Sequence, residues 1–316
     1  MKRFKNILAI YDLAIGSDET LQRAITLARQ NEAHLTVLHI VEPKQETMDL
    51  LFERRKLMNR LFDNMPVDKN QFNVLVKYGE RVHEILDCVS NNSIDLIVAP
   101  TERNSGFETL VGTDTTSELM RATDTPIWVV RPGGNQFYCK VVAAVNAGKD
   151  HALECQANKR ILQMASSLAK RENAVLDVLY VWNFGVSDEQ RLTSEMHEDA
   201  RLELFQLYRY TALEEVVNVT KHVLGEPFNA TPVVRQGDVE DCILDYVSET
   251  SADLLVTEGS AGSPIMNALL GNRSLRILNQ ANCSVLVSRP RDYLDEWTHK
   301  MKSSDTYSYS NQKVDA

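Results

Sequence analysis

The sequence predicts two tandem α/β domains, each a doubly wound, five-stranded parallel β-sheet. Three observations carry this. Short, near-continuous apolar runs alternate with amphipathic stretches in the order β-α-β-α-β-α-β-α-β. Runs that are apolar at every position are buried on both faces, as parallel strands flanked by helices are. The whole order then occurs a second time, and one segment repeats without a gap. GERVHEILDCVSNNSIDLIV from Gly79 returns as GDVEDCILDYVSETSADLLV from Gly237, identical at ten of twenty positions, where average composition gives roughly one or two. At 316 residues the chain also exceeds one comfortable core of about 100–200 residues.

The elements of the first half follow in order. NILAIYD is a buried strand bounded by charge. A helix follows, capped by Ser17 and Asp18, with Leu21, Ala24, Ile25, Leu27 and Ala28 at helical spacing. HLTVLHIV is the second strand. Residues 46–65 place Leu50, Leu51, Leu57, Met58, Leu61, Phe62 and Met65 on one face of an amphipathic helix. FNVLVKYG, then the helix ERVHEILDCVSNN, then DLIVAP continue the alternation. A loop leads to the helix TTSELMRAT and the fifth strand, TPIWVVRP. Asp87 and Asp245 repeat on exposed helix faces. Asp95 and Asp253 repeat just before the fourth strand, where a carboxylate caps or turns the chain.

The second copy contains CSVLVSRP at the place of TPIWVVRP, and VVAAVN from Val141 at the place of ILAIYD. The halves are expected at residues 1–135 and 138–292, followed by an extension, 293–316, with a polar end expected to be disordered. A middle insertion at about 186–228 contains Leu202, Leu204, Phe205, Leu207, Tyr208, Tyr210 and Leu213. That is more apolar surface than one helix face requires. It packs on the core or holds an apolar, acyl-lipid-like ligand.

Charge and cysteine usage exclude several classes. With 44 acidic against 34 basic residues, net −10, no general field attracts nucleic acid or an anionic membrane. The N-terminal apolar run stops at Tyr11-Asp12, too short for a secretory signal, and no uncharged stretch is long enough to span a bilayer. A cytoplasmic location is expected. Five scattered cysteines without C-x-x-C, and histidines without H-x-H or H-E-x-x-H, argue against a disulfide framework and a metal site.

Ligands of doubly wound sheets bind beyond the carboxyl ends of the strands. That rule selects Asp12, Val41-Glu42, Gly79 and the loop after Pro100, and in the second half Asn146, Val181-Trp182, Gly237 and the loop after Thr257. The second loop, TEGSAGSPIMNALLGNRSLRIL, sets Gly259 and Gly262 after a strand and Gly271-Asn272 before a helix. Glycines let backbone N–H groups approach phosphate, and a helix N-terminus adds positive potential. Arg273 adds a full charge. The first loop retains Gly112-Thr113 but has Thr101 and Asn104 near the places of the first two glycines, with Glu102, Glu108 and Asp114 nearby. It reads as the degenerate copy.

These residues resemble the universal stress protein family, most closely its tandem-domain, E-type members, across about residues 3–292. The resemblance rests on the strand ending in Asp12 or Asn146, the I-D-L-I-V-type fourth strand, and the R-P-ended fifth strand in each half. It implies an adenine nucleotide alpha-hydrolase-like fold, a stress-response role, and ATP as the ligand of the second half. Asn146 and Val181 would lie near base or ribose, and Gly259, Gly262, Gly271, Asn272 and Arg273 near phosphates. Asp12, Val41, Gly112 and Thr113 match a first, degenerate site. The resemblance also implies an intramolecular pseudo-dimer through the last strands, and a homo-oligomer as a further partner state. No nucleophile–base pair stands at motif spacing, and Ser260 lacks the G-x-S-x-G elbow. The chain reads as a non-catalytic binding module, with slow ATP hydrolysis at the second loop as the enzymatic alternative.

Overall fold

The computed structural model describes residues 4–13, 18–43, 50–63, 71–101, 111–133, 137–148, 156–183, 197–259 and 276–288. The expected Ser17 cap, the loops 102–110 and 260–275, and the extension 293–316 lie outside the described residues.

The first half runs β1 (Asn6–Ile10), α1 (Asp18–Asn31), β2 (His34–Val41), α2 (Leu50–Asp63), β3 (Phe72–Tyr78), α3 (Arg81–Asn91), β4 (Leu96–Pro100), α4 (Val111–Ala122) and β5 (Ile127–Val130). The second runs β6 (Lys140–Val145), α5 (Gln156–Glu172), β7 (Val175–Trp182), α6 (Glu198–Leu224), β8 (Thr231–Gln236), α7 (Val239–Glu249), β9 (Leu254–Glu258), α8 (Arg276–Gln280) and β10 (Ser284–Ser288). Every predicted strand is present. The two five-stranded sheets join as one, in the order β3-β2-β1-β4-β5-β10-β9-β6-β7-β8. Pairing is parallel within each half and antiparallel at the junction, where Val285, Leu286 and Val287 face Val129, Trp128 and Ile127.

Because the sheet is continuous, its two cores span both halves. One face carries α1, α2, α5 and α6, joined through residues such as Ala24, Met58, Leu162 and Val216. The other carries α3, α4, α7 and α8, through Ile85, Leu119, Ile243 and Ile277. No helix among the described residues is long and apolar enough to cross a membrane.

The repeated aspartates have a shared task. Asp95 accepts the backbone N–H groups of Lys5 (2.7 Å) and Asn6 (3.2 Å). Asp253 accepts those of Cys139 (2.7 Å) and Lys140 (2.9 Å). Each therefore ties the start of the fourth strand of its half to the start of the first, rather than only turning the chain. Burial pushes the Asp95 carboxyl above its ordinary value, although these N–H groups pull the other way. Helix ends repeat as well: Ser93 (φ 47°) and Ser251 (φ 49°) both take the left-handed conformation on leaving α3 and α7.

Two helices depart from expectation. On α2 only Met58 and Phe62 are buried, with Leu51 packed against the core. Leu50, Leu57 and Leu61, assigned to the same buried face, are exposed. Their stripe lies about 60–100° round the helix from Met58, beyond what one sheet surface covers. The insertion forms α6, whose Ala212, Val216 and Val219 enter the core. Phe205 and Tyr208 pack on Trp182, at ring distances of 5.7 and 6.2 Å. Leu202, Leu207, Tyr210 and Leu213 stay exposed.

Replacing Asp95 or Asp253 by Ala leaves two backbone donors without their acceptor. Each change is expected to lower unfolding free energy by about 2 kcal/mol, read as a lower urea midpoint. Asp87→Ala and Asp245→Ala, on exposed helix faces, should shift it by less than about 0.5 kcal/mol.

Candidate functional site

In the second half the carboxyl ends of β6, β7 and β9 converge on a small cavity of about 40 Å³ lined by Asn146, Tyr180, Val181, Val239 and Glu258. Asn146 and Val181 are thus brought together. Asn158 of α5 clamps the Asn146 backbone, accepting its N–H at 3.0 Å and donating to its carbonyl at 2.7 Å. The Asn146 side-chain oxygen accepts the Gly148 N–H at 3.3 Å, so the strand end is locked in a tight turn. The Gly259 N–H donates to the Ser288 carbonyl at 2.7 Å. It extends the β9–β10 ladder, so any phosphate donors must come from the residues beyond it. Gly262, Gly271, Asn272 and Arg273 lie outside the described residues.

The equivalent crevice of the first half is built differently. Arg81, the first residue of α3, places its guanidinium 3.2 Å from Glu42 and 3.7 Å from Asp12. Its position is set by a repeated cap. Glu80 accepts the Val82 and His83 N–H groups, as Asp238 accepts those of Glu240 and Asp241. The residue after the cap is Arg81 in one half and Val239 in the other, and Val239 lines the second-half cavity. Asp12 is therefore engaged with a cation inside its own crevice. Beside it the Tyr11 hydroxyl donates to Asp18 at 2.9 Å, and burial with that contact pushes it up to about 12. Gly112 and Thr113 lie in the first turn of α4.

Val41 requires a correction. The register pairs Ile10 with Leu38 and Val145 with Tyr180, which makes Ile40 the counterpart of Val181. Ile40 and Val181 pack on one side of the sheet, whereas Val41 is buried on the other, toward α1 and α2. The period of two in a strand turns a one-residue offset into the opposite face. Gly79 and Gly237 close the strand ladders, donating to the Val41 and Trp182 carbonyls. A Cβ on Gly79 would come within 2.5 Å of the Glu84 carboxylate, which pairs with Lys77 at 2.9 Å.

A cavity of about 590 Å³ lies at the junction of the halves, against Arg23, Arg131, Tyr138, Asp253, Cys283 and Ser284. Arg23 sits 3.7 Å over the Tyr138 ring and 3.1 Å from Glu172. The Arg131 guanidinium donates to the Ala281 carbonyl, and the Arg131 backbone N–H donates to the Ser284 hydroxyl. Burial pushes both the Tyr138 hydroxyl and the Cys283 thiol up to about 12, so Cys283 is a protonated thiol at neutral pH and not a nucleophile. Sequence reasoning missed this cavity, because its walls come from segments more than 100 residues apart. Among the described residues, no three His, Cys, Asp or Glu side chains gather as metal ligands.

The universal stress protein family model matches the chain twice, over residues 3–131 and 150–289. This chain belongs to the universal stress protein family. Among its relatives, the universal stress protein E homolog of Haemophilus influenzae is 22% identical over 317 aligned residues, covering 91% of this chain and 98% of the relative. Universal stress protein E of Escherichia coli is 22% identical over 225 residues, covering 69% and 68%. A functionally unknown protein from Pseudomonas aeruginosa has the same fold, with a TM-score of 0.69 at 16% identity over 96% of this chain and 98% of that one. A universal stress protein from Archaeoglobus fulgidus scores 0.60 at 16% identity, over 91% and 97%. This universal stress protein is a tandem of two family domains with a common topology and unlike crevices.

Two measurements check the site description. Iodoacetamide on the native protein should label the exposed Cys139, with Cys88 and Cys283 labelled only after unfolding; mass spectrometry of the peptides reads this directly. Arg81→Val leaves Asp12 and Glu42 without their shared cation. It should cost about 1 kcal/mol, a small value for a partly exposed cluster, and the cost should shrink in 1 M salt.

Proposed function

We propose that this universal stress protein is a non-catalytic, cytoplasmic stress-response protein whose second half holds an adenine nucleotide. The observation that carries the reading is the contrast between the two crevices. The second has Asn146 and Val181 beside an apolar Val239, with the glycine loop following Gly259. The first has Arg81 held between Asp12 and Glu42 at the matching position. In this reading Asn146 and Val181 meet the base or ribose, and Gly262, Gly271, Asn272 and Arg273 meet the phosphates. The crevice floor, at about 40 Å³, is far smaller than the roughly 300 Å³ of an ordinary ligand pocket. The nucleotide then occupies the crevice mouth, beyond Asn146. Glu258 lines the same crevice and opposes phosphate, which makes the expected affinity modest.

The non-catalytic part of the reading rests on side-chain chemistry. The Cys283 thiol is buried, which pushes it well above its ordinary value, and Ser260 lacks the G-x-S-x-G elbow that presents a serine nucleophile.

The test is a titration of labelled ATP into the full chain and two variants. Gly262→Asp sets a carboxylate in the second loop and is expected to weaken binding at least tenfold, about 1.4 kcal/mol. Gly112→Asp, in the first half, should leave binding unchanged. The reverse order of effects would move the site to the first half. Phosphate release above background by the wild type, and lost in Gly262→Asp, would make the protein a slow ATPase.

A further inference from the structure

The junction cavity, at about 590 Å³, falls within the roughly 300–1,000 Å³ of small-molecule sites. Its walls come from both halves: α1 and the end of β5 from one, the end of α7 and the starts of β9 and β10 from the other. It is separate from the second-half crevice. That crevice holds Glu258, at the carboxyl end of β9, whereas the junction cavity holds Asp253, just before the amino end of the same strand. Roughly 16 Å of strand lies between them.

Tyr138 supplies the observation that points to a ligand. Its hydroxyl is buried, at 3% exposure, and has no hydrogen-bond partner among the described residues. It lies near the Ser284 hydroxyl and the Trp128 indole N–H, too loosely placed for a hydrogen bond to either. A buried polar group costs stability until it is satisfied. Its neighbours are donors. The tryptophan N–H can only donate. The Ser284 oxygen already accepts the Arg131 backbone N–H, which leaves its O–H to donate. Two guanidiniums stand at the same walls, Arg23 over the Tyr138 ring and Arg131 anchored on the Ala281 carbonyl. This donor-rich side suits an anionic oxygen acceptor.

The acidic lining residues limit how much negative charge that group carries. Asp18 accepts the Tyr11 hydroxyl, Glu19 the Gly133 N–H, and Asp253 the Cys139 and Lys140 N–H groups. Three carboxylates against two guanidiniums oppose a polyanion such as a nucleotide triphosphate, while a single carboxylate can be held at the donors. Val130, Val247 and Ala252 add buried apolar surface to the lining. We propose that the junction cavity binds a small apolar monocarboxylic acid, with its carboxylate at Tyr138, Arg23 and Arg131 and its body against Val130, Val247 and Ala252. Such a ligand touches both halves at once, independently of any nucleotide in the second-half crevice.

Calorimetric titration of the full chain with 2-naphthoate, and with 2-naphthamide as its uncharged counterpart, tests the proposal. Naphthoate should bind with a Kd of roughly 10 to 100 μM, and naphthamide at least tenfold more weakly. Tyr138→Phe removes only the hydroxyl. It should weaken naphthoate binding at least fivefold without lowering the urea midpoint, because that hydroxyl makes no hydrogen bond to the protein. Thr26→Trp, on the α1 wall, should abolish binding by filling the space. Gly262→Asp should leave naphthoate binding unchanged, so failure of the nucleotide reading is distinguishable from failure of this one. No binding of naphthoate to the wild type up to about 1 mM, naphthamide binding as tightly, or wild-type affinity in Tyr138→Phe overturns the proposal. A Tyr138→Phe protein with a lowered urea midpoint and unaltered naphthoate binding would make the hydroxyl purely structural and overturn it as well.

Discussion

The antiparallel pairing of β5 with β10 is the interaction on which the rest of the molecule depends. Each half ends in a short strand whose residues are all buried, IWVV in one and SVLVS in the other. Alone, either strand would leave a row of backbone donors and acceptors beside an apolar surface, the arrangement that invites uncontrolled pairing. Joined, they turn two five-stranded sheets into one of ten. Trp128 and Leu286, opposite each other in the register, are essentially inaccessible to solvent. The contact is reinforced off the ladder by Arg131, which reaches the Ala281 carbonyl and the Ser284 hydroxyl. Arg23 of α1 adds a link to Glu172 of α5.

One consequence is that neither half has a core of its own. Both hydrophobic clusters contain residues from both halves, so a cavity at the junction belongs to the pair. Its walls combine the start of α1, the end of β5 and the approach to β10. Another consequence is that the two crevices sit on a shared frame and can diverge without cost to it. The helix caps Glu80 and Asp238 and the aspartate ties Asp95 and Asp253 are retained in both halves. The residue immediately after the cap is not. A guanidinium there draws Asp12 and Glu42 together in the first crevice, and an isopropyl group leaves the second lined by apolar surface.

The same duplication explains where the outer surface is unusual. The second and seventh strands are each followed by a helix laid over a sheet edge. An edge strand offers a helix only a narrow platform. Met58 and Phe62, or Val216 and Val219, find the core, while apolar residues a quarter turn away do not. That geometry accounts for α2 burying only Met58 and Phe62 among its apolar residues, although the spacing of Leu50, Leu51, Leu57 and Leu61 suggests one amphipathic face with them.

By itself the sequence determined the duplication, the order of strands and helices, the parallel class of sheet, and the positions of Asp95 and Asp253. These are local properties: a run of apolar residues or a repeated cap is decided by neighbours within a few positions. That Asn146 and Val181 meet in one crevice was legible for the same reason, because both stand at the ends of neighbouring strands. Tertiary structure decided what depends on faces and distant partners. It put Val41 on the opposite face of the sheet from Ile40 and Val181, because pleating alternates sides. It drew Arg81 to Asp12 and Glu42, which stand about 70 and 40 positions earlier in the chain and share no periodicity with it. It also built the junction cavity and left the outer faces of α2 and α6 bare, since burial depends on how far a sheet extends beneath a helix, which no residue encodes alone.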